Sequence, residues 1–234
     1  FGVRVWHRDF FDADIVACPD ESVIGKSFGQ VGRERGGVHP VDAFLDLVLE
    51  HGKALRWRTT ISNHRPEVLK KLAREPSVQM GFSDAGAHLR NMAFYNMGLR
   101  LLRHVNDAKQ AGREFMTIEQ AVHRLTGELA DWYRLDAGHL RVGDRADVVI
   151  IDPAHLDASL DAYAEHAVEQ YGDLPRMVNR NDDAVTAVLV GGRTVFTEGD
   201  ATNLVGRQRT GRFLRASHKS PALPTTKGEL TSVS

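Results

Sequence analysis

The residues with the greatest capacity for chemistry lie together in Val78-Gln79-Met80-Gly81-Phe82-Ser83-Asp84-Ala85-Gly86-Ala87-His88. A hydroxyl, a carboxylate and an imidazole share one turn of small residues. The apolar run at 78–82 predicts a strand, and a helix is expected to begin near Asn91. In parallel α/β folds the reactive groups stand just past the carboxyl ends of strands, where loops vary while the strands hold them in place. Asp84 occupies that place. Local physics also allows a plainer role, because an Asp after a strand is often a helix cap. Gly81-Phe82-Ser83-Asp84-Ala85 approaches the nucleophile elbow of serine hydrolases, but Ala85 stands where its second Gly lets the backbone turn sharply. Ser83 is therefore a lesser nucleophile candidate.

Other generic signatures are nearly absent. Gly25-Lys26-Ser27 matches the end of a phosphate-binding loop, yet Asp20 stands where that loop needs its first Gly. No paired-Gly dinucleotide fingerprint, His-Glu-x-x-His or Cys-x-x-Cys occurs. The formal charge of −1 favours neither a nucleic acid nor an anionic membrane as partner. The apolar runs are far too short to cross a bilayer, and a secretory leader is not expected. Cys18, the single cysteine, excludes an internal disulfide, so the expected location is the cytoplasm.

The elements that would position this chemistry follow from periodicity and punctuation. Residues 13–18 predict a strand stopped by Pro19. Ser27 is placed to cap a short helix to Arg35, which Gly29 and Gly32 each weaken by up to about 1 kcal/mol relative to Ala. Pro40 suits a first helical position, Gly52 ends that helix, and Val41, Phe44, Leu45, Val48 and Leu49 form its expected inner face. Residues 55–61 alternate as a strand. Pro66 opens a helix facing inward through Val68, Leu69 and Leu72. Together with 78–82 these make an expected parallel βαβ unit. The next helix presents Met92, Tyr95, Leu99, Leu102 and Val105. Thr117 and Gln120 form a capping box for another, buried through Ile118, Ala121, Val122, Leu125 and Leu129. Trp57 and Trp132 are expected in packed positions.

Beyond Leu135 the texture changes to short strands. Residues 138–145 predict a strand and turn leading into a strand at 146–151. Residues 185–190 and 193–196 flank Gly191-Gly192 as a hairpin. Between these pairs the chain is polar, with one helix expected at 158–169. The expected organisation is 1–135 as βα units, 136–216 as a small β module with an irregular insert, and 217–234 as a disordered tail.

Three stretches now suggest a family. Phe82-Ser83-Asp84-Ala85-Gly86-Ala87-His88, Leu125-Thr126-Gly127-Glu128-Leu129-Ala130 and Gly138-His139-Leu140-Arg141-Val142-Gly143-Asp144-Arg145-Ala146-Asp147-Val148-Val149 resemble the carboxyl-terminal half of the amidohydrolase superfamily. Within it the nearest likeness is to the N-acyl-D-amino-acid deacylases, or D-aminoacylases. Gly25-Lys26-Ser27, Glu34-Arg35-Gly36 and Val41-Asp42-Ala43-Phe44-Leu45-Asp46-Leu47 agree in order with that branch. The resemblance runs from about residue 13 to 200.

What it implies is an α/β fold: the last βα units of a (β/α)8 metal-dependent hydrolase barrel at 1–135 and part of a β-sandwich at 136–216. It also implies one or two zinc ions and hydrolysis of a linear amide such as an N-acyl-D-amino acid. Asp84 would be the metal-associated carboxylate and general base, with His88, His64 and Arg90 as substrate-binding candidates. Arg58 is an alternative to Arg90 for holding a substrate carboxylate by a bidentate pair. The chemistry is coherent, since zinc brings the pKa of bound water to about 7 and a neighbouring carboxylate receives the proton. The family's His-x-His pair is not among the eleven histidines. The chain opens on Phe1 rather than Met, and most metal ligands would precede it. The resemblance therefore implies a portion that is inactive without the missing amino-terminal half of the barrel, its partner together with a small amide substrate and a possible second copy. The alternatives are a cyclic-amide or other C–N hydrolase on the same scaffold, a non-catalytic assembly element, and a serine hydrolase using Ser83.

Overall fold

A computed structural model describes residues 10–59, 65–81, 96–169, 172–178 and 181–216. Helices and strands are mixed, and the chain divides into two compact units, residues 1–75 and 76–234.

In the first unit, β1 (Asp14–Ala17) pairs antiparallel with β2 (Arg56–Arg58), Ile15 opposite Trp57. Between them run α1 (Phe28–Glu34) and α2 (Pro40–His51). The α1 start follows from chemistry visible in the sequence. Ser27 Oγ accepts the Gln30 N–H at 3.2 Å, and Gln30 Oε1 accepts the Ser27 N–H at 2.8 Å, so two otherwise orphaned donors are satisfied. Lys26 meets Glu34 at 2.7 Å, so this Gly-Lys-Ser is a helix entry and not a phosphate cradle. Gly29 and Gly32 have a packing reason. A Cβ at Gly32 would lie 2.4 Å from the Val38 carbonyl oxygen, and one at Gly29 2.9 Å from that of Phe11.

The core of this unit is built on Ile15, Phe28, Val31, Ala43 and Leu47. Phe10, Phe28, Phe44 and Trp57 pack ring against ring, with Phe10 and Phe44 centroids 4.6 Å apart. The expected inner face of α2 needs correction. Ala43 and Leu47 are buried and Phe44 partly so, whereas Val41, Leu45, Val48 and Leu49 are exposed, Leu49 at 85%. Both sides of α2 are apolar, and only tertiary packing decides which one is covered. The last helix of the unit, α3 (Pro66–Arg74), buries Ala73, while Val68 is exposed. Among the described residues Val78–Gly81 form no strand and every pairing is antiparallel, so the expected parallel βαβ unit is not seen.

The second unit opens with α4 (Met97–Gln110), α5 (Ile118–Leu125) and α6 (Gly127–Tyr133). Thr117 and Gln120 close the capping box of α5 as expected, with bonds of 3.2 and 2.9 Å. Thr126 breaks the helix expected to continue to Leu129. Ala121 is buried, but Ile118 and Val122 are exposed, as is Trp132 at 70%. Leu101, Leu102, Val105 and Ala108 form the covered stripe of α4.

Next come β3 (Val148–Ile151), β4 (Glu165–Val168), β5 (Leu174–Met177), β6 (Val185–Val190), β7 (Arg193–Thr197) and β8 (Asp200–Ala201). One sheet has the order β3-β6-β7-β8, and β4 pairs with β5 apart from it. Gly191 and Gly192, at φ 57° and 76°, make the tight β6–β7 turn the sequence predicted. The helix expected at 158–169 is instead a 3-10 turn at Ala158–Asp161 and then β4. The partner of that strand, β5, supplies the deciding interactions, and short-range periodicity does not carry them.

Candidate functional site

Asp84, Ser83, His88, Arg90 and His64 all lie outside the described residues. The structure does describe the two flanks between which Asp84 is carried. On the entry side, the Arg124 guanidinium donates through Nη2 to the Val78 carbonyl. Tyr133 Oη donates to Gln79 Oε1 at 3.2 Å. On the exit side, Asn96 Nδ2 donates to the Leu160 carbonyl at 2.8 Å, and Asn96 is only 6% exposed.

Around that exit, Arg100 and Arg103 each reach an oxygen of Asp161 at 2.8 Å, and Arg103 lies 3.4 Å from Asp107. The flanks also approach one another. A Cβ at Gly81 would sit 3.6 Å from Met97 Cε, and one at Gly98 3.7 Å from Leu125 Cδ1. Entry, exit, α4 and α5 thus meet in one packed region of the second unit. Arg58, the other substrate-holding candidate, is exposed in the first unit with Nε 4.0 Å from Asp14.

The Gly-x-Leu-x-x-Gly-x-x-Ala-Asp run shows what its residues are for. Gly138, at φ 79°, leaves no room for a side chain, because a Cβ there would be 2.8 Å from Ala130 Cβ and from the Thr126 carbonyl oxygen. Gly143, at φ 93°, turns the chain, and Asp144 accepts the Arg141 N–H across that turn at 2.8 Å. Asp147 accepts the Gly191 N–H at 2.7 Å and pairs with Arg145, while the Gly192 N–H donates to the Ala146 carbonyl at 2.8 Å. The run therefore fastens the entrance of β3 onto the β6–β7 turn.

Burial pushes the Asp147 carboxyl up, but the Arg145 and Gly191 bonds with the Arg145 and Arg212 charges outweigh it and hold it below its ordinary value. Asp152 is also held low, by the Ala154 N–H and by His155. An open cleft of about 410 Å³ beside the run is lined by Asp136, Asp144, Arg145, Gly191 and Arg212. Its arginines are already engaged, Arg145 with Asp147 and Arg212 with Asp136.

Among the described residues no group of three His, Cys, Asp or Glu side chains converges to hold a metal ion. The described residues do not by themselves make a zinc centre. Nor is any helix among them long and apolar enough to cross a membrane. Arg124 and Asn96 were not singled out by sequence reasoning. Arg124 carries a signal in retrospect, since a charge stands three residues from the buried Ala121 on the covered side of α5. Asn96 carries none.

No family model matches the chain. Proteins from Mycobacterium bovis and Mycobacterium tuberculosis, both described as uncharacterized, are 58% identical to it over 228 residues, 95% of this chain. The chain spans 37% of the length of these curated relatives. Among solved structures it is similar to a D-aminoacylase described as defining a novel subset of amidohydrolases, at 19% identity and TM-score 0.45 over 89% of this chain and 39% of that one. It is also similar to an N-acyl-D-glutamate deacylase from Bordetella bronchiseptica, solved with zinc and a phosphonate inhibitor, at 25% identity and TM-score 0.44 over 88% and 38% of the two chains.

Proposed function

We propose that this chain is the carboxyl-side portion of a metal-dependent amidohydrolase acting on a linear amide such as an N-acyl-D-amino acid. Asp84 is its general base and metal-associated carboxylate, and one or two zinc ions are its cofactor, with most ligands supplied from outside this chain. In this reading residues 1–135 are the last βα units of a barrel and 136–216 are part of a β-sandwich. His88, His64 and Arg90 bind substrate. The observation that carries the reading is the co-occurrence, in order, of the Ser83-Asp84-Ala85-Gly86 turn and the Gly138-to-Asp147 run. The geometry of that run supports it, because each of its glycines and acids meets a demand of the fold.

The chemistry asked of Asp84 is modest. An ionised carboxylate would take the proton of the attacking water as its oxygen adds to the amide carbon and return it to the departing amine as the C–N bond breaks, a role general bases commonly fill. The full-length protein decides the matter. It should bind zinc by metal analysis, hydrolyse N-acyl-D-amino acids, and lose activity about 1000-fold in Asp84→Asn, on the scale general-base removal can reach. Retained activity after chelation, together with loss in Ser83→Ala, would transfer the reaction to serine chemistry and sink the proposal.

A further inference from the structure

We infer that the open edge of β3 is a seam, where the longer protein adds an apolar strand from outside these 234 residues and so covers both faces of the β3-β6-β7-β8 sheet at once. The inference rests on reading the chain as a portion of a longer protein, and not on the reaction proposed for it.

β3 is Val148-Val149-Ile150-Ile151, four β-branched side chains with no charge or proline among them. It pairs with β6 on one side and, among the described residues, with no strand on the other. The far edge of the sheet is finished off, since β8 pairs with β7 and the Thr202 N–H donates to the Val195 carbonyl at 2.9 Å. Edge strands that stay in water are commonly guarded by charge, proline or a covering segment, because their free N–H and C=O groups template further pairing. β3 has only a register irregularity between Ile150 and Ile151. The carboxylates that flank it are spent within the chain, Asp147 on Gly191 and Arg145, Asp152 on Ala154 and His155.

The exposure of β3 selects an added strand over a covering layer. Val149 is 54% exposed and Ile150 50%, and as neighbours on a strand they point to opposite faces. A layer laid on one face would cover one of them; a strand beside β3 flanks both. β6, which has a strand on each side, shows the effect, with Ala187, Val188, Leu189 and Val190 all partly buried on alternating faces. Leu140 and Val142, in the run that leads into β3, are exposed more fully still. Large apolar side chains gathered on one stretch in this way mark an interface.

A second copy can pair with the same edge, but the lengths of the relatives favour an occupant on the same chain. At 58% identity the matched part is 37% of their length, so most of each relative lies outside it and is tethered to this sheet. A tethered strand acts at an effective concentration on the order of millimolar when its linker is short and flexible, with no second molecule needed. Its chemistry follows from β3: β-branched or aromatic, and apolar at successive positions because both faces need cover.

The test uses the full-length protein. With the photo-crosslinking residue p-benzoylphenylalanine in place of Val149, illumination is expected to join position 149 to a segment outside these 234 residues. Mixed light- and heavy-isotope protein should give no hybrid product. In the unmodified protein, hydrogen exchange at 147–151 should be as slow as at 185–190 to within about tenfold. Val149→Lys and Ile150→Lys should each lower the folded-to-unfolded ratio about 30-fold, against roughly twofold for a surface substitution.

A hybrid product gives the edge to a second copy and overturns the inference, as does a product confined to these residues. So do alternate amides of 147–151 exchanging as in an unfolded peptide, or lysine variants within about twofold of wild type. The exchange arm needs no variant and decides the matter if a substituted protein does not fold. A full-length protein with this protection but no amide hydrolysis defeats the proposed function and leaves the seam in place.

Discussion

Asp147 accepts the Gly191 N–H at 2.7 Å, so the residue just before β3 is fastened to the turn joining β6 and β7, more than forty positions away. The same carboxylate pairs with Arg145 and is held below the ordinary aspartate value. A depressed acid stabilises the fold above its unfolded pKa, and that contribution disappears as pH falls through the folded value. Asp147→Asn keeps an acceptor for Gly191 and loses the charge. It should cost about 1 kcal/mol above pH ~5, discounted for the partial exposure of the carboxylate, and the gap to wild type should close below pH ~4. Melting temperatures across pH 3–7 for the two proteins would check this, and a gap that widens toward acid would contradict it.

Gly32 and Gly98 are both helical glycines with opposite expectations. Gly32→Ala drives a Cβ to within 2.4 Å of the Val38 carbonyl oxygen. Backbone has to move, and a loss of about 2 kcal/mol or more is expected despite the better helix propensity of Ala. Gly98→Ala meets only the tip of Leu125 at 3.7 Å and should stabilise α4 by about 0.5–1 kcal/mol. Denaturant unfolding of the two variants would separate them, and equal shifts would refute the packing argument.

On α2 the distinction is between covered and uncovered apolar residues. Leu47→Ala should cost about 2–5 kcal/mol, since Leu47 is fully buried. Leu45→Gln with Leu49→Gln should leave the stability of this chain within about 0.5 kcal/mol and raise its solubility, because both residues are exposed. Destabilisation by the double variant of the isolated chain would mean that the stripe is covered after all.

Ser27→Ala removes half of the α1 capping box and should cost about 1 kcal/mol, while Ser27→Asp should retain most of the stability. Chemical denaturation is sufficient to tell them apart.

What could be read from the sequence was whatever is decided within a few residues. Both capping boxes, Pro40 at the head of α2 and the Gly191-Gly192 turn are of this kind, since the partners are three or four positions apart. What could not be read was decided at long range. The helix expected at 158–169 yields to β4 because its strand partner β5 lies further along, after Gly172 and Asp173 at positive φ. The face of α2 was misassigned because Val41 and Leu45 are as apolar as Ala43 and Leu47, and a periodic pattern does not say which side meets the core. Asp84 is a candidate by the likeness of its sequence motif alone and lies outside the described residues. The bonds of Arg124 and Asn96 to the distant Val78 and Leu160 carbonyls were not legible, although Arg124 had a local clue in its place three residues from the buried Ala121 on α5.

The β4–β5 pair departs from the main sheet and returns to it through a closed neck, where Ile151 faces Val185 and the Asp152 N–H donates to the Ala184 carbonyl at 2.9 Å. Its near end is tied to α4 through Leu160 and Asp161. A graft or trimming confined to the outer part of this excursion should leave the sheet's stagger intact, so it offers a tether site for a probe or affinity handle. The turn at Ala158–Asp161, a few residues nearer the neck, tolerates no such liberty.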